Sequence, residues 1–308
     1  MKTCITIFLS FLLAFPILEI NAQSQQQKID SLIVLFKKSR HDWSTYADQF
    51  IEIGEPAIPA LVKMLEDKSL SQWQRRIAAM TLNDIHSPLY IETALKMLLD
   101  RSEDPTLRNQ VTNGLKGHDL SFAVSDLWNV YSEEADQWWF RSNIANLLLG
   151  CDTALAYIAF HEIYNANDGY LKRGALSRMI QLRPHESTYW YVQGLQTGDW
   201  MTANLAMDSL VTTEYLIPME LLGLYNQPAT PEEVKWRVVY IFGHRELPES
   251  LPLLVEALKD PSWLIYNEAA VGLSRMEGEE VMQEIKQLTK SDDPRVVKDA
   301  KWVIREFK

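Results

Sequence analysis

The sequence predicts an all-α protein assembled from repeated helix pairs, and three observations carry that expectation. First, the stretch Ile53–Ile85 contains two amphipathic helices. Ile58, Leu61, Val62 and Leu65 form an i, i+3, i+4, i+7 stripe from Pro56 to about Leu65, and a second helix runs from about Ser71 to Ile85 with Arg75, Ala78, Ala79 and Leu82. Second, that second helix recurs in register down the chain. Third, no run shows the sustained two-residue alternation of a half-buried strand. A single hairpin of this length cannot bury its apolar face alone, so the copies must stack. The expected architecture is an α-solenoid, a superhelix of about eight helix pairs behind an N-terminal helical cap.

The register is set by Arg75, Ala78 and Leu82, since residues three and seven apart share one helix face. The Leu82 position recurs as Leu115, Leu148, Ile180, Leu210, His244, Leu273 and Ile304. The Ala78 position recurs as Val111, Ile144, Leu176, Ala206, Tyr240, Ala269 and Ala300, and the Arg75 position as Arg108, Arg141, Arg173, Ala203, Arg237, Tyr266 and Val297. Successive spacings are 33, 33, 32, 30, 34, 29 and 31 residues.

This pattern resembles the HEAT repeat, in particular the short HEAT-like repeat named after phycobilisome lyases. The likeness is most specific at Gly54–Leu82 and at Leu251–Lys308, where ALKDP, EAAVGL and DDPRVVKDAKWVI stand in the family's order. The sixth copy departs from it by placing His244 in the leucine column. The resemblance implies an α-solenoid and does not imply lyase activity, because the repeat occurs in proteins with no common chemistry.

Taken in order, the chain begins with an expected signal peptide at 1–22. Lys2 supplies a positive start, Ile5–Leu18 a short apolar core, and Ile20-Asn21-Ala22 a small residue before a cut ahead of Gln23. The core is shorter than the 18 or more apolar residues of a spanning helix. Residues 23–52 are the helical cap, with Ile29, Leu32, Ile33, Leu35 and Phe36 on Lys28–Lys38 and Trp43, Tyr46, Phe50 and Ile51 after it. Terminal repeats of a stack are atypical because one face must meet water. The solenoid then occupies 53–308. Helix starts are marked by Ser87-Pro88, Asp104-Pro105, Thr230-Pro231, Asp260-Pro261 and Asp293-Pro294, each an N-cap residue before a first-turn proline. Thr230 and Glu233 also have the spacing of a capping box.

Charge and cysteine narrow the partners. The formal net charge is −11, which disfavours nucleic acid, whose affinity rests on phosphate neutralisation, and an anionic membrane surface. No stable membrane insertion is expected once the signal is removed. Of the two cysteines, Cys4 leaves with the signal, so Cys151 has no intrachain partner. The expected location is secreted or periplasmic.

Motifs of catalysis are scarce. His161-Glu162 lacks the second histidine of HExxH, since position 165 is Asn, and the other adjacent pair, His185-Glu186, lies 24 residues on. Iron hydroxylases built on HEAT-like repeats use several such pairs at repeat spacing, which 24 is not. His86, His118 and Cys151 fall at nearly equivalent positions after three second helices. Stacked helices are about 8–10 Å apart, whereas zinc ligands all lie within about 2.3 Å of one ion, so that line is not expected to bind metal. The pairs Glu133-Glu134 and Glu279-Glu280 read as helix starts, where negative charge is favoured. No metal or cofactor is expected.

Two features remain. Arg75, Arg108, Arg141 and Arg173 form a column, with Asp104, Asp136 and Asp168 just ahead of three of them. The geometry suits an Asp cap bonded to its own helix start while the arginine spans to the neighbouring repeat, a structural ladder; the alternative is an anion site. The second feature is the side of the second helices opposite the core, centred at −2, +2 and +5 in the register. It carries Trp73, Ile77 and Met80; Thr106, Gln110 and Asn113; Trp139, Asn143 and Asn146; and Leu171, Ala175 and Arg178. Tryptophans beside carboxamides suit recognition of a peptide or polar polymer; the alternative is that curvature buries these residues. The candidate binding set is Trp73, Ile77, Gln110, Asn113, Trp139, Asn143, Asn146, Leu171 and Arg178. The reading is a non-catalytic binding or scaffold protein that recognises a protein or peptide on the concave face. The alternatives are a lyase or hydrolase with a site in the groove, and a structural spacer.

Overall fold

The computed structural model describes residues 24–38, 43–134, 137–245 and 247–306. The signal segment expected at 1–22 and the capping Asp136 lie outside the described residues. Among the described residues every regular element is helical, and no helix is long and apolar enough to cross a membrane. The chain divides into two compact units, Met1–Ala159 and Phe160–Lys308.

In the first unit, α1 (24–38) and α2 (Trp43–Ile53) form the cap, with Ile29, Leu32, Phe36 and Phe50 buried. Three helix pairs follow: α3 (Ile58–Glu66) with α4 (Gln72–Ile85), α5 (Ile91–Leu99) with α6 (Pro105–Leu115), and α7 (Val124–Glu133) with α8 (Trp138–Leu148). Each second helix packs on the second helix before it. A next helix, α9 (Thr153–Ala166), contains the division between the units. The second unit continues with α10 (Gly169–Leu182) and four pairs. These are α11 (Ser187–Leu195) with α12 (Trp200–Thr212), α13 (Pro218–Asn226) with α14 (Glu232–Arg245), α15 (Ser250–Ala257) with α16 (Trp263–Arg275), and α17 (Glu279–Leu288) with α18 (Pro294–Glu306). Again the even-numbered helices pack on one another in succession.

Small residues set how closely those helices approach. Ala78 and Ala79 are fully buried on α4. On α14 and α16 the contact is tighter, for a Cβ added at Gly243 would stand 2.9 Å from the Cα of Gly272, and the reverse holds as well. Only two glycines allow this crossing.

Helix starts follow local chemistry, with shifts of a residue or so. Ser71 caps α4 by accepting from the Gln74 N–H, and the Gln74 carboxamide accepts from the Ser71 N–H in return, completing a capping box. Asp104 caps α6 through the Leu107 N–H at 3.0 Å. Thr230 donates its hydroxyl to the Leu224 carbonyl at 2.7 Å, and α14 begins two residues later. Glu133-Glu134 ends α7 and starts no helix, a correction to the expected placement; Glu279-Glu280 does open α17.

The leucine column holds on five of the eight second helices; it slips by one residue on α10 and α18, where Met179 and Val303 are fully buried and Ile180 and Ile304 half-buried, and by two on α14. There Val238 and Phe242 are fully buried while Tyr240 and His244 are only half-buried. Moving the sixth copy back two residues restores an apolar residue to the leucine column. Tyr240 had looked like core because it is aromatic and stands at a permitted spacing from His244; burial selects the branched Val238 and Phe242 four apart.

Candidate functional site

The arginine column resolves into a structural ladder at its start. Arg75 donates through Nε to the Leu65 carbonyl at 2.7 Å, so it closes the end of α3. Its two terminal nitrogens grip the carboxylate of Glu103 at 2.8 and 2.5 Å. Both side chains are buried, and the arginine hydrogen bonds hold the Glu103 carboxyl below its usual range against the opposing effect of burial. Arg108 repeats the motif with the Leu98 carbonyl and Glu134. The carboxylates that complete the ladder are therefore Glu103 and Glu134, while Asp104 caps α6 as its place before the helix suggested. Arg141 instead lies over the Tyr131 and Trp138 rings at 4.1 and 4.4 Å. Arg75 and Arg108 are committed to protein carboxylates, which corrects the anion-site alternative at these two positions.

The His86, His118 and Cys151 line also differs from its expected geometry. The His86 and His118 rings stack with centroids 4.6 Å apart, well inside the helix spacing. His86 is the one described non-glycine residue with positive φ, 52°, and ends α4 in the left-handed region. Burial, and then the charge of His86, push the His118 pKa down. Cys151 is half-buried, with its thiol pushed up by burial. Among the described residues no three His, Cys, Asp or Glu side chains form a group that could hold a metal ion.

The candidate binding face is divided in the structure. In the first unit Trp73 and Trp139 are 48% and 60% exposed, Asn113 is exposed, and Gln110, Asn143 and Asn146 are half-buried. Ile77 is 1% exposed, which corrects its place in the set: α2 and α4 pack on each other and turn it into the core. It still contributes to the wall of a cavity of about 450 Å³ that Trp43, Trp73 and Phe36 also line. Trp73 meets Trp43 edge-on at 5.5 Å, and Arg76 lies 5.6 Å from the Trp73 ring. The carboxamides are partly used inside the protein. Asn143 donates to the Asn109 side chain at 2.8 Å, Asn146 to the Ser142 carbonyl at 2.8 Å, and Asn113 accepts from Lys116 at 2.7 Å. Each amide retains further hydrogen-bonding capacity.

In the second unit Leu171 is half-buried, Arg178 is exposed and bonded to Gln181, and Ala175 is buried. The conspicuous exposed groups there were not in the predicted set. Tyr170, Trp200 and Trp263 are 61%, 66% and 66% exposed, each in the first turn of a second helix. Their common signal was present in the sequence, since each stands three residues ahead of the register reference and the predicted face began at two. Between α10 and α12, Tyr170 and Trp200 overlook an open cavity of about 510 Å³ lined also by Arg173, Gly174, Asn204 and Asp208.

The family model for HEAT repeats matches residues 221–305. No curated protein matches the chain. Among solved structures, human deoxyhypusine hydroxylase in complex with glycerol is 13% identical with a TM-score of 0.38, over 94% of this chain and 99% of that one. A designed armadillo repeat protein in complex with the peptide (KR)4 is 15% identical with a TM-score of 0.24, over 82% of this chain and 99% of that one. Likeness at this level says nothing of what this chain binds. The chain is an all-helical repeat protein, and residues 221–305 of it match the HEAT-repeat family.

Proposed function

We propose that this protein is an exported, non-catalytic binding protein that recognises a peptide or an extended protein segment on the exposed sides of its second helices. A helical-repeat scaffold fits such a role. The observation that carries the reading is the exposure of Trp73 and Trp139 in the first unit on a face where carboxamides replace the Lys and Glu of an ordinary solvated helix. Exposed aromatics next to adaptable hydrogen-bonding groups are the composition of interface hot spots.

The test is selection from a displayed random-peptide library on the full-length mature protein, followed by titration of the enriched peptides. Trp139→Ala is expected to weaken their binding by about 2 kcal/mol, roughly thirtyfold, with an unchanged melting temperature. Enrichment of no peptide, or a lowered melting temperature with unchanged affinity, defeats the reading.

A further inference from the structure

The cavity between α10 and α12 is a trough along the two helices, both within the second unit. The starts of these helices meet at one side chain. The Asp199 carboxylate caps α12 through the Thr202 N–H at 3.1 Å, and the Gly169 N–H at the head of α10 faces the same carboxylate. Gly169 has a φ of 63°, a conformation that favours glycine. Tyr170 and Trp200 follow directly on their helices, so the two aromatic residues share one end of the trough. From that end α12 contributes Asn204 and Asp208, each one turn beyond the last and about 6 and 12 Å from Trp200 along the axis. The opposite wall carries Arg173, Gly174 and Ser177 of α10. A Cβ added at Gly174 would meet nothing within 4 Å. No neighbour excludes a side chain there, and the effect of its absence is a wider trough.

The polar groups of the trough have bonding capacity left over. Among the described residues the half-buried Arg173 guanidinium makes no hydrogen bond or ion pair and touches only the Tyr170 ring, at 5.5 Å. The Asn204 carboxamide, the Asp208 carboxylate and the Trp200 indole N–H make no protein hydrogen bond either. The Ser177 hydroxyl donates to the Arg173 carbonyl at 3.1 Å and can still accept. One cation and one anion therefore offset each other, and donors and acceptors are both present. An anionic ligand would meet Asp208, and a cationic one Arg173. Hydroxyls suit both groups, since each carries one donor and two acceptor sites, and neighbouring hydroxyls can span the planar fork of a guanidinium, a carboxamide or a carboxylate. The aromatic surface selects in the same direction. A peptide side chain that anchors binding seeks an enclosed, desolvated pocket, which an open trough with polar walls lacks. The C–H face of a pyranose needs only an exposed ring, whose electron-rich face attracts it.

We propose that the trough between α10 and α12 binds a neutral oligosaccharide running along the helices, with a pyranose against Trp200 and Tyr170 and the hydroxyls of the following sugars held by Arg173, Asn204 and Asp208. The site uses neither Trp73 nor Trp139 and stands independently of the peptide-binding reading.

The probes are cellohexaose, maltohexaose, laminarihexaose and chitohexaose, each titrated calorimetrically into the full-length protein, with hexagalacturonate as the acidic counterpart. Saturable binding of at least one neutral hexamer is expected, with an affinity unchanged between about 0.05 and 0.5 M salt because the ligand carries no charge to be screened. Trp200→Ala and Gly174→Leu should each weaken it about tenfold or more without lowering the melting temperature, since one residue is largely exposed and the other has open space beside it. Should either variant melt early, the other supplies the measurement. Asp208→Ala should weaken binding severalfold and Asp208→Asn much less, because a carboxamide keeps a fork for hydroxyls; equal losses would mean that Asp208 pairs with a cation and would overturn the assignment. No binding of any neutral hexamer at millimolar concentration, indifference to both trough variants, or tighter binding of hexagalacturonate also overturns it. Library-selected peptides that lose affinity in Gly174→Leu while the hexamers fail to bind would give the trough to a peptide instead. Trp139→Ala should leave hexamer binding unchanged, so the two readings fail separately.

Discussion

Arg75 shows how a charged residue can sit at a core position of a helix. Its Nε closes α3, and its fork meets the Glu103 carboxylate from the next repeat, so no donor facing the interior lacks an acceptor. Removing the arginine leaves a buried carboxylate without its cation, which costs about 3–5 kcal/mol. Arg75→Ala is accordingly expected to lower the unfolding free energy by that amount in urea titrations. Glu103→Gln, which keeps the shape and one acceptor, should cost less. The stacked histidines give a second residue-level expectation. Burial and the His86 charge depress the His118 pKa below its ordinary 6.5, so the unfolded chain binds that proton more readily than the folded one. The contribution is complete above pH 6.5 and is lost as pH falls through the depressed folded value. Urea unfolding at pH 7.5 and pH 5 should therefore show a smaller acid loss in His118→Phe than in the wild type.

At the scale of elements, the tight crossing of α14 on α16 depends on Gly243 and Gly272. A methyl on either would stand 2.9 Å from the opposing Cα, and a backbone cannot yield as a flexible side chain can. Gly243→Ala should destabilise by about 1–3 kcal/mol, as overpacking does, although alanine is the better helix former. Denaturant titration decides the sign, and a stabilised variant would mean that the helices separate readily. The same crossing accounts for the register of α14. With Val238 and Phe242 turned toward the neighbours, Trp236, Tyr240 and His244 line up four apart on the other side. Tyr240 and His244 stack there at 3.9 Å, and Trp236 lies 6.1 Å from Tyr240. A residue pattern alone cannot separate two apolar stripes on one helix; contact with α12 and α16 does.

For the whole molecule, the proposed export makes a covalent prediction. Protein isolated from its native host should begin at Gln23, contain Cys151 as its one thiol, and migrate alike with and without reductant. Intact-mass and peptide-mapping measurements check this, and recovery of a peptide containing Cys4 would refute the cleavage. Stability is then to come from stacked apolar faces, a sum of repeat and neighbour terms.

The sequence by itself determined the helix pairs, their number and most of their inward-facing residues. Those depend on local rules: apolar spacing of three and four, N-caps before proline, and a period near 32 residues. It also marked Trp73 and Trp139 as a pair in one register position, and both are exposed in the structure. Tertiary structure decided what depends on a neighbour. Ile77 is buried because α2 lies against α4, and Glu103 holds Arg75 while its neighbour Asp104 is taken up in capping α6. The aromatic plates of Tyr170 and Trp200 become a cavity wall only where α10 and α12 stand side by side over Gly174. Helical periodicity states which residues share a face, but the angle at which the next helix crosses that face chooses which of them meet water.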